Sequence, residues 1–249
     1  MISLITEAKE LIEAAREEDF TVRLLGGCAV AVLCEQSNSS APIPEALKRD
    51  YSDMDLALLE KRSIDFETFM KNRGFIPEER FNTLNGDRRL LFRDSKNGRK
   101  VDVFVANFEM CHLIPFSERL KAQAFTLPPA ELLLTKLQIV KINRKDVQDV
   151  LTLLLFYSIG TKGEGIDADT FGTLTGNDWG LWKTVGLNIT KIQSLLDEFH
   201  LSQTEAQRIE TNLDTLAGLL ATYPKTTKWK MRSLVGERVR WYEEPEEAD

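Results

Sequence analysis

Apolar residues recur at helical spacing over residues 2 to 17, where Ile2, Leu4, Ile5, Ala8, Leu11, Ile12 and Ala15 share one face and Glu7, Lys9, Glu10 and Glu13 lie off it. The pattern then shortens. Val22-Arg23-Leu24-Leu25 reads as a strand (21 to 25), and Gly26-Gly27 opens an apolar helix over 27 to 35. The polar run Ser37-Asn38-Ser39-Ser40-Ala41-Pro42-Ile43-Pro44 predicts a loop. Strict alternation returns at 54 to 59, and Ile64, Phe66, Phe69 and Met70 mark a further helix that Gly74 closes. Residues 88 to 93 and 100 to 106 read as a hairpin, because Asn97-Gly98 between them favours a tight turn. From Leu127-Pro128-Pro129 onward the period is helical throughout: 129 to 142, 145 to 158, 189 to 199 and 203 to 222, with the Gly-rich stretch from 160 to 180 as connector. The expected fold class is α/β (α+β), a mixed twisted sheet flanked by helices, with one domain over 1–126 and a helical lobe over 127–249 that closes one wall of a cleft. No internal repeat or heptad interrupts this pattern.

The alternation places Asp53 and Asp55 on one face of the strand at 54 to 59, with Met54, Leu56 and Leu58 on the other. Asp102 lies likewise opposite Val101, Val103 and Val105, so a neighbouring strand can bring a third carboxylate to the same spot. Oxygen-only ligands suit hard divalent ions, and two such ions roughly 3.5–4 Å apart stabilise the entering and leaving oxygens of a phosphoryl displacement. Asp-x-Asp is common by itself; the glycine turn gives it a context. A strand running into a helix at Gly26-Gly27 offers bare backbone N–H groups and the positive end of a helix dipole to a phosphate. A dinucleotide fingerprint is excluded by the missing third glycine, and a P-loop by the missing Lys and Ser/Thr. An EF-hand is excluded because the run from Asp50 to Asp55 lacks the central Gly and the closing Glu.

Gly26-Gly27, Arg49 with Ser52-Asp53-Met54-Asp55, and Val101-Asp102-Val103 together resemble the signature of the polymerase-beta-like nucleotidyltransferase superfamily. Leu127 to Leu137 and Arg144-Lys145-Asp146-Val147-Gln148-Asp149 resemble the fourth motif of its AbiEii-type, abortive-infection branch. The resemblance spans roughly residues 20 to 155. Gly-Gly stands where many members of the superfamily carry Gly-Ser, and it is familiar in the AbiEii-type branch. The resemblance implies transfer of a nucleoside monophosphate from a nucleoside triphosphate to a hydroxyl, with Asp53, Asp55 and Asp102 as catalytic residues holding two Mg²⁺ or Mn²⁺ ions. It further implies that Gly26, Gly27, Ser52, Lys136 and Asp146 form the nucleotide site. The acceptor it implies is a tRNA 3′ end, with an antitoxin protein as partner. A small-molecule acceptor of aminoglycoside type is the alternative enzyme, and a catalytically silent nucleotide-binding scaffold the non-enzymatic one.

Lys136 falls beside the stripe of Leu132, Leu133, Leu137 and Val140, where it reads either as a point charge for a triphosphate or as a snorkelling surface lysine. Asp146 and Asp149 share a helix face, and without the resemblance they read as solvated or capping carboxylates; Asp149 stays open. The histidines, His112 and His200, carry no nucleophile motif around them.

Composition agrees with a globular enzyme: 249 residues, 43% hydrophobic and 29% charged, suffice for a substantial core. Cys28, Cys34 and Cys111 make no Cys-x-x-Cys pair, so zinc is not expected and a reducing compartment suits them. Met1 leads straight into the first helix, so neither signal peptide nor membrane span is expected and the expected location is the cytoplasm. The net charge of −7 argues against non-specific nucleic-acid binding. One segment departs from it. Lys225, Lys228, Lys230, Arg232, Arg238 and Arg240 interleave with Trp229 and Trp241 ahead of the acidic residues 243 to 249. The segment reads as a platform for a single-stranded RNA end, or as a solvated helix or arm clipped onto the fold.

Overall fold

The computed structural model describes residues 3–37, 41–116, 118–160 and 165–244. Ile2 of the first predicted helix, residues 38–40 of the predicted loop, 161–164 of the connector and 245–249 of the acidic segment lie outside these. The chain opens with α1 (Leu4–Glu17), whose first turn is capped by the Ser3 hydroxyl accepting the Thr6 N–H. There follow β1 (Val22–Leu25), α2 (Gly26–Gln36), β2 (Met54–Leu58), α3 (Ser63–Asn72), β3 (Phe75–Pro77), α4 (Glu79–Asn85), β4 (Arg89–Asp94), β5 (Lys100–Val105) and the short hairpin β6 (Asn107–Glu109) with β7 (Leu113–Pro115). The main sheet has five strands in the order β1-β2-β5-β4-β3. Only β2 and β5 run parallel; the other pairs are antiparallel, so the sheet is mixed as the hydrophobic pattern predicts.

Register follows from alternation. Leu24, Leu56, Val103 and Leu90 stand in one row across four strands, each at most 2% exposed. A full burial of this kind contributes on the order of 2–3 kcal/mol per side chain, and a one-residue slip in any strand would turn it to the other face. The apolar face therefore dictates what the opposite face presents. The β4–β5 hairpin turns at Gly98, with φ of 67°, as the Asn-Gly signal anticipates.

After residue 126 come α5 (Pro129–Leu137), α6 (Arg144–Phe156), the two-residue strands β8 (Ile159–Gly160) and β9 (Ile166–Asp167), then α7 (Ala168–Asn177), α8 (Trp179–Leu195), α9 (Gln203–Thr222) and α10 (Thr227–Val235). One apolar cluster runs from Ala8 to Leu220, so sheet and helices share a core, with α2 packed between the sheet and both α5 and α6. Three readings of the sequence are corrected. The helix expected over 129 to 142 stops at Leu137. The supposed connector contains α7, and the helix expected from 189 begins at Trp179. Asp167 and Asp178 start these two helices by accepting the N–H of Thr170 and Leu181. The glycines that suggested a loop serve contact instead: a Cβ on Gly172 would lie 2.2 Å from the Tyr223 ring, and one on Gly176 2.6 Å from the Pro224 carbonyl oxygen. Among the described residues no helix is long and apolar enough to cross a membrane.

Candidate functional site

Asp55 on β2 and Asp102 on β5 are register partners in the parallel pair, with Leu25 and Leu91 continuing the row on either side. Neighbouring strands lie about 4.8 Å apart, so two carboxylates stand side by side at the middle of the sheet. Loss of solvent around Asp55, reinforced by the charge of Asp102, pushes its pKa up to about 7; Lys136 opposes this, Asp53 adds to it and Arg89 opposes it again. Asp53 precedes β2 and is exposed, two residues from Asp55 and on the same side by alternation.

The glycine turn closes on this pair. Gly26 has φ of 67°, a conformation open to glycine, and a Cβ on it would lie 2.1 Å from Asp55 Oδ2. A Cβ on Gly27 would lie 1.8 Å from Nη2 of Arg49. The first turn of α2 has neither a side-chain cap nor an acidic residue, leaving its N–H groups and dipole to whatever anion enters. Ser52, expected in the nucleotide site, is exposed on the approach to β2.

Behind the turn lies a buried ionic group. Lys136, 8% exposed on α5, reaches Asp146 at 3.0 Å and Asp149 at 2.9 Å on α6. Arg49 Nε stands 3.0 Å from the other oxygen of Asp149 and its guanidinium lies over the Tyr51 ring. Burial works against the Lys136 ammonium, but Asp149 and Asp146 outweigh it and raise its pKa, so the lysine stays charged. Asp149, open in the sequence, is thus the bridge between Lys136 and Arg49. A cleft of about 760 Å³ opens beside Arg49, with Glu35, Glu45, Lys48, Asp50 and Tyr51 among its walls.

The sequence reading missed Arg89. Its guanidinium donates from Nε to Asp102 Oδ1 at 2.8 Å and from Nη2 to Oδ2 at 2.5 Å, occupying both oxygens. The signal was there: a hairpin turning at Asn97-Gly98 pairs Arg93 with Lys100 and hence Leu91 with Asp102, which puts Arg89 on the carboxylate face. The donors Asp53, Asp55 and Asp102 suit a hard divalent ion in kind. Their arrangement is not a ready-made ligand cluster: no group of three or more His, Cys, Asp or Glu among the described residues is placed to hold a metal. Asp102 faces Arg89.

The basic segment is an arm clipped onto α8. Trp229 packs edge-on against Trp182 at 5.1 Å, Trp241 against Trp179 at 6.2 Å, and Arg232 covers the Trp179 ring. Both rings of the segment are half-buried in these contacts, the arrangement expected of the arm reading.

No family model matches the chain, and no curated protein matches it. Among solved structures, similarity is found to an antigenic nucleotidyltransferase-like protein from Paracoccidioides brasiliensis, at 15% identity and a TM-score of 0.40 over 90% of this chain and 94% of that one. A tRNA-processing enzyme in an apo form is similar at 14% identity and a TM-score of 0.33, over 94% of this chain and 64% of that one. At TM-scores below 0.5 neither likeness carries a function over to this chain.

Proposed function

We propose that the protein is a nucleotidyltransferase of polymerase-beta type, moving a nucleoside monophosphate from a nucleoside triphosphate to a hydroxyl. The observation that carries the reading is the meeting of Asp55 and Asp102, as register partners, with the uncapped N-terminus of α2 at Gly26-Gly27. Anion-binding backbone and cation-binding carboxylates in one place suit a metal-bound triphosphate better than either ligand alone. Asp53, Asp55 and Asp102 would hold divalent ions, Mg²⁺ or Mn²⁺, which supply charge neutralisation at the attacking and leaving oxygens. The N–H groups at Gly26-Gly27 would hold phosphate oxygens, with Arg49 and Lys136 adding positive charge and Asp146 and Asp149 keeping Lys136 in place. The acceptor oxygen attacks the α-phosphorus, its proton passes to the Asp102 carboxylate, and the bond to the β-phosphate breaks to release pyrophosphate.

Two acceptors divide the reading. A tRNA 3′ end, with an antitoxin controlling the protein, follows from the AbiEii-type resemblance alone. A small hydroxylated molecule of aminoglycoside type is the other, and the cleft beside Arg49, with Asp50 on its wall, has the room for it. The test incubates the protein with each labelled nucleoside triphosphate, Mg²⁺ or Mn²⁺, total RNA and a panel of aminoglycosides. Label in tRNA supports the first acceptor and label in a small molecule the second. Nucleotide binding without transfer to any of them would leave the scaffold reading in possession.

A further inference from the structure

Arg89 is anchored on all sides. Its side chain is 12% exposed and that of Asp102 11%. The guanidinium lies 5.1 Å from the Phe104 ring centre and 5.6 Å from that of Phe81 on α4. α4 is itself tied to β4, where Asn82 Oδ1 accepts the Leu91 N–H at 2.7 Å. A guanidinium fork matches carboxylate and phosphate equally well, and a carboxylate whose two oxygens both accept from it meets a cation only in competition with that fork.

We propose that Arg89 guards Asp102: without substrate it holds the third carboxylate, and it hands that carboxylate over when a triphosphate enters, its fork passing to a phosphate oxygen. The inference rests on the nucleotidyltransferase reading and adds to it a positioning residue on β4. The exchange leaves neither the carboxylate nor the phosphate without a cation beside it. It also couples the two ligands: an ion alone must compete with Arg89 for Asp102, whereas a triphosphate relieves that competition, and by linkage each ligand then strengthens the other. Asp55, beside Asp102, stays available throughout.

The test uses the whole protein and two probes, Mn²⁺ alone and inorganic tripolyphosphate in the presence of a chelator, both followed by calorimetry, with circular dichroism to verify folding. For Arg89→Ala, Mn²⁺ should bind at least about tenfold tighter than to wild type, and metal-free tripolyphosphate about tenfold weaker, each being the worth of one charge-assisted pair. Arg89→Lys keeps the charge but not the fork, serves as the second variant should the alanine protein fail to fold, and should fall between alanine and wild type on both probes. A merely structural arginine predicts the reverse for the cation, because loosening β4 weakens the ion site. Mn²⁺ affinity unchanged or lowered in the variants, with wild type binding both probes, overturns the guard and leaves the enzyme reading intact. If neither wild type nor variant binds Mn²⁺ or tripolyphosphate, both ideas fall.

Discussion

Two aspartates of the same type, one strand apart, carry different burdens because their neighbours differ. Asp55 borders the glycine turn and feels Arg89 only as a nearby charge, while Asp102 is held by its fork. In an active transferase, Asp102→Asn should keep much of its triphosphate affinity while turnover falls by at least about 10²-fold, the lower range for losing a general base. Comparing nucleotide affinity with single-turnover rates checks this, and equal transfer by both proteins would show that Asp102 has been given the wrong role. Lys136 makes a different prediction. Its replacement by Met leaves Asp146 and Asp149 buried together, with Arg49 as the remaining cation on Asp149, and should lower stability by about 3–5 kcal/mol as for other broken buried pairs. Chemical denaturation reads that loss, and a change under about 1 kcal/mol would mean that the group relaxes into solvent.

At the scale of elements, α7 shows how composition misleads. Gly172 and Gly176 look like loop residues until α9 delivers Tyr223 and Pro224 onto the helix that carries them. Gly218 is the internal control, since it lies within α9 with nothing within 4 Å of a Cβ. Gly218→Ala should therefore stabilise by about 0.5–1 kcal/mol, through helix propensity and a stiffer unfolded chain. Gly172→Ala should destabilise by about 1–3 kcal/mol through overpacking against the Tyr223 ring. Thermal unfolding of the two variants side by side tests the account, which fails if both shift the same way.

Across the whole molecule, His112 joins three remote parts of the chain. Its Nε2 lies 2.8 Å from Thr184 Oγ1 on α8, its backbone N–H donates to Gln138 Oε1, and Trp241 of the C-terminal arm donates to the same threonine. Burial pushes its pKa down to about 4, with Asp178 pulling weakly the other way. The unfolded chain protonates this histidine near its ordinary value of about 6.5. Stability is therefore present above pH 6.5, is lost as pH falls towards 4 because only the unfolded state takes up the proton, and levels off for this group below that. The loss amounts to about 3 kcal/mol. Urea unfolding of wild type and His112→Gln between pH 7 and 4.5 isolates it, since carboxylates contribute to both. Parallel profiles would show that the ring charges without opening the fold.

What the chain determines by itself is whatever depends on local period and turn chemistry. Alternation placed Asp53 and Asp55 together and opposed them to Met54 and Leu56, and the Asn-Gly turn pinned the β4–β5 hairpin. Helical period found α9 at its full length, 203 to 222, because its apolar stripe, its Ser202–Glu205 capping box and its end are all local. Only the tertiary structure decided that β2 and β5 pair in parallel and set Asp55 against Asp102, since no local signal specifies a crossover partner. It also turned Lys136 inward between two aspartates, used the α7 glycines for contact and packed Trp229 of the basic segment edge-on against α8. Each of these turns on a residue far away in sequence, and such contacts are fixed by what the fold brings near rather than by the residue's own neighbours.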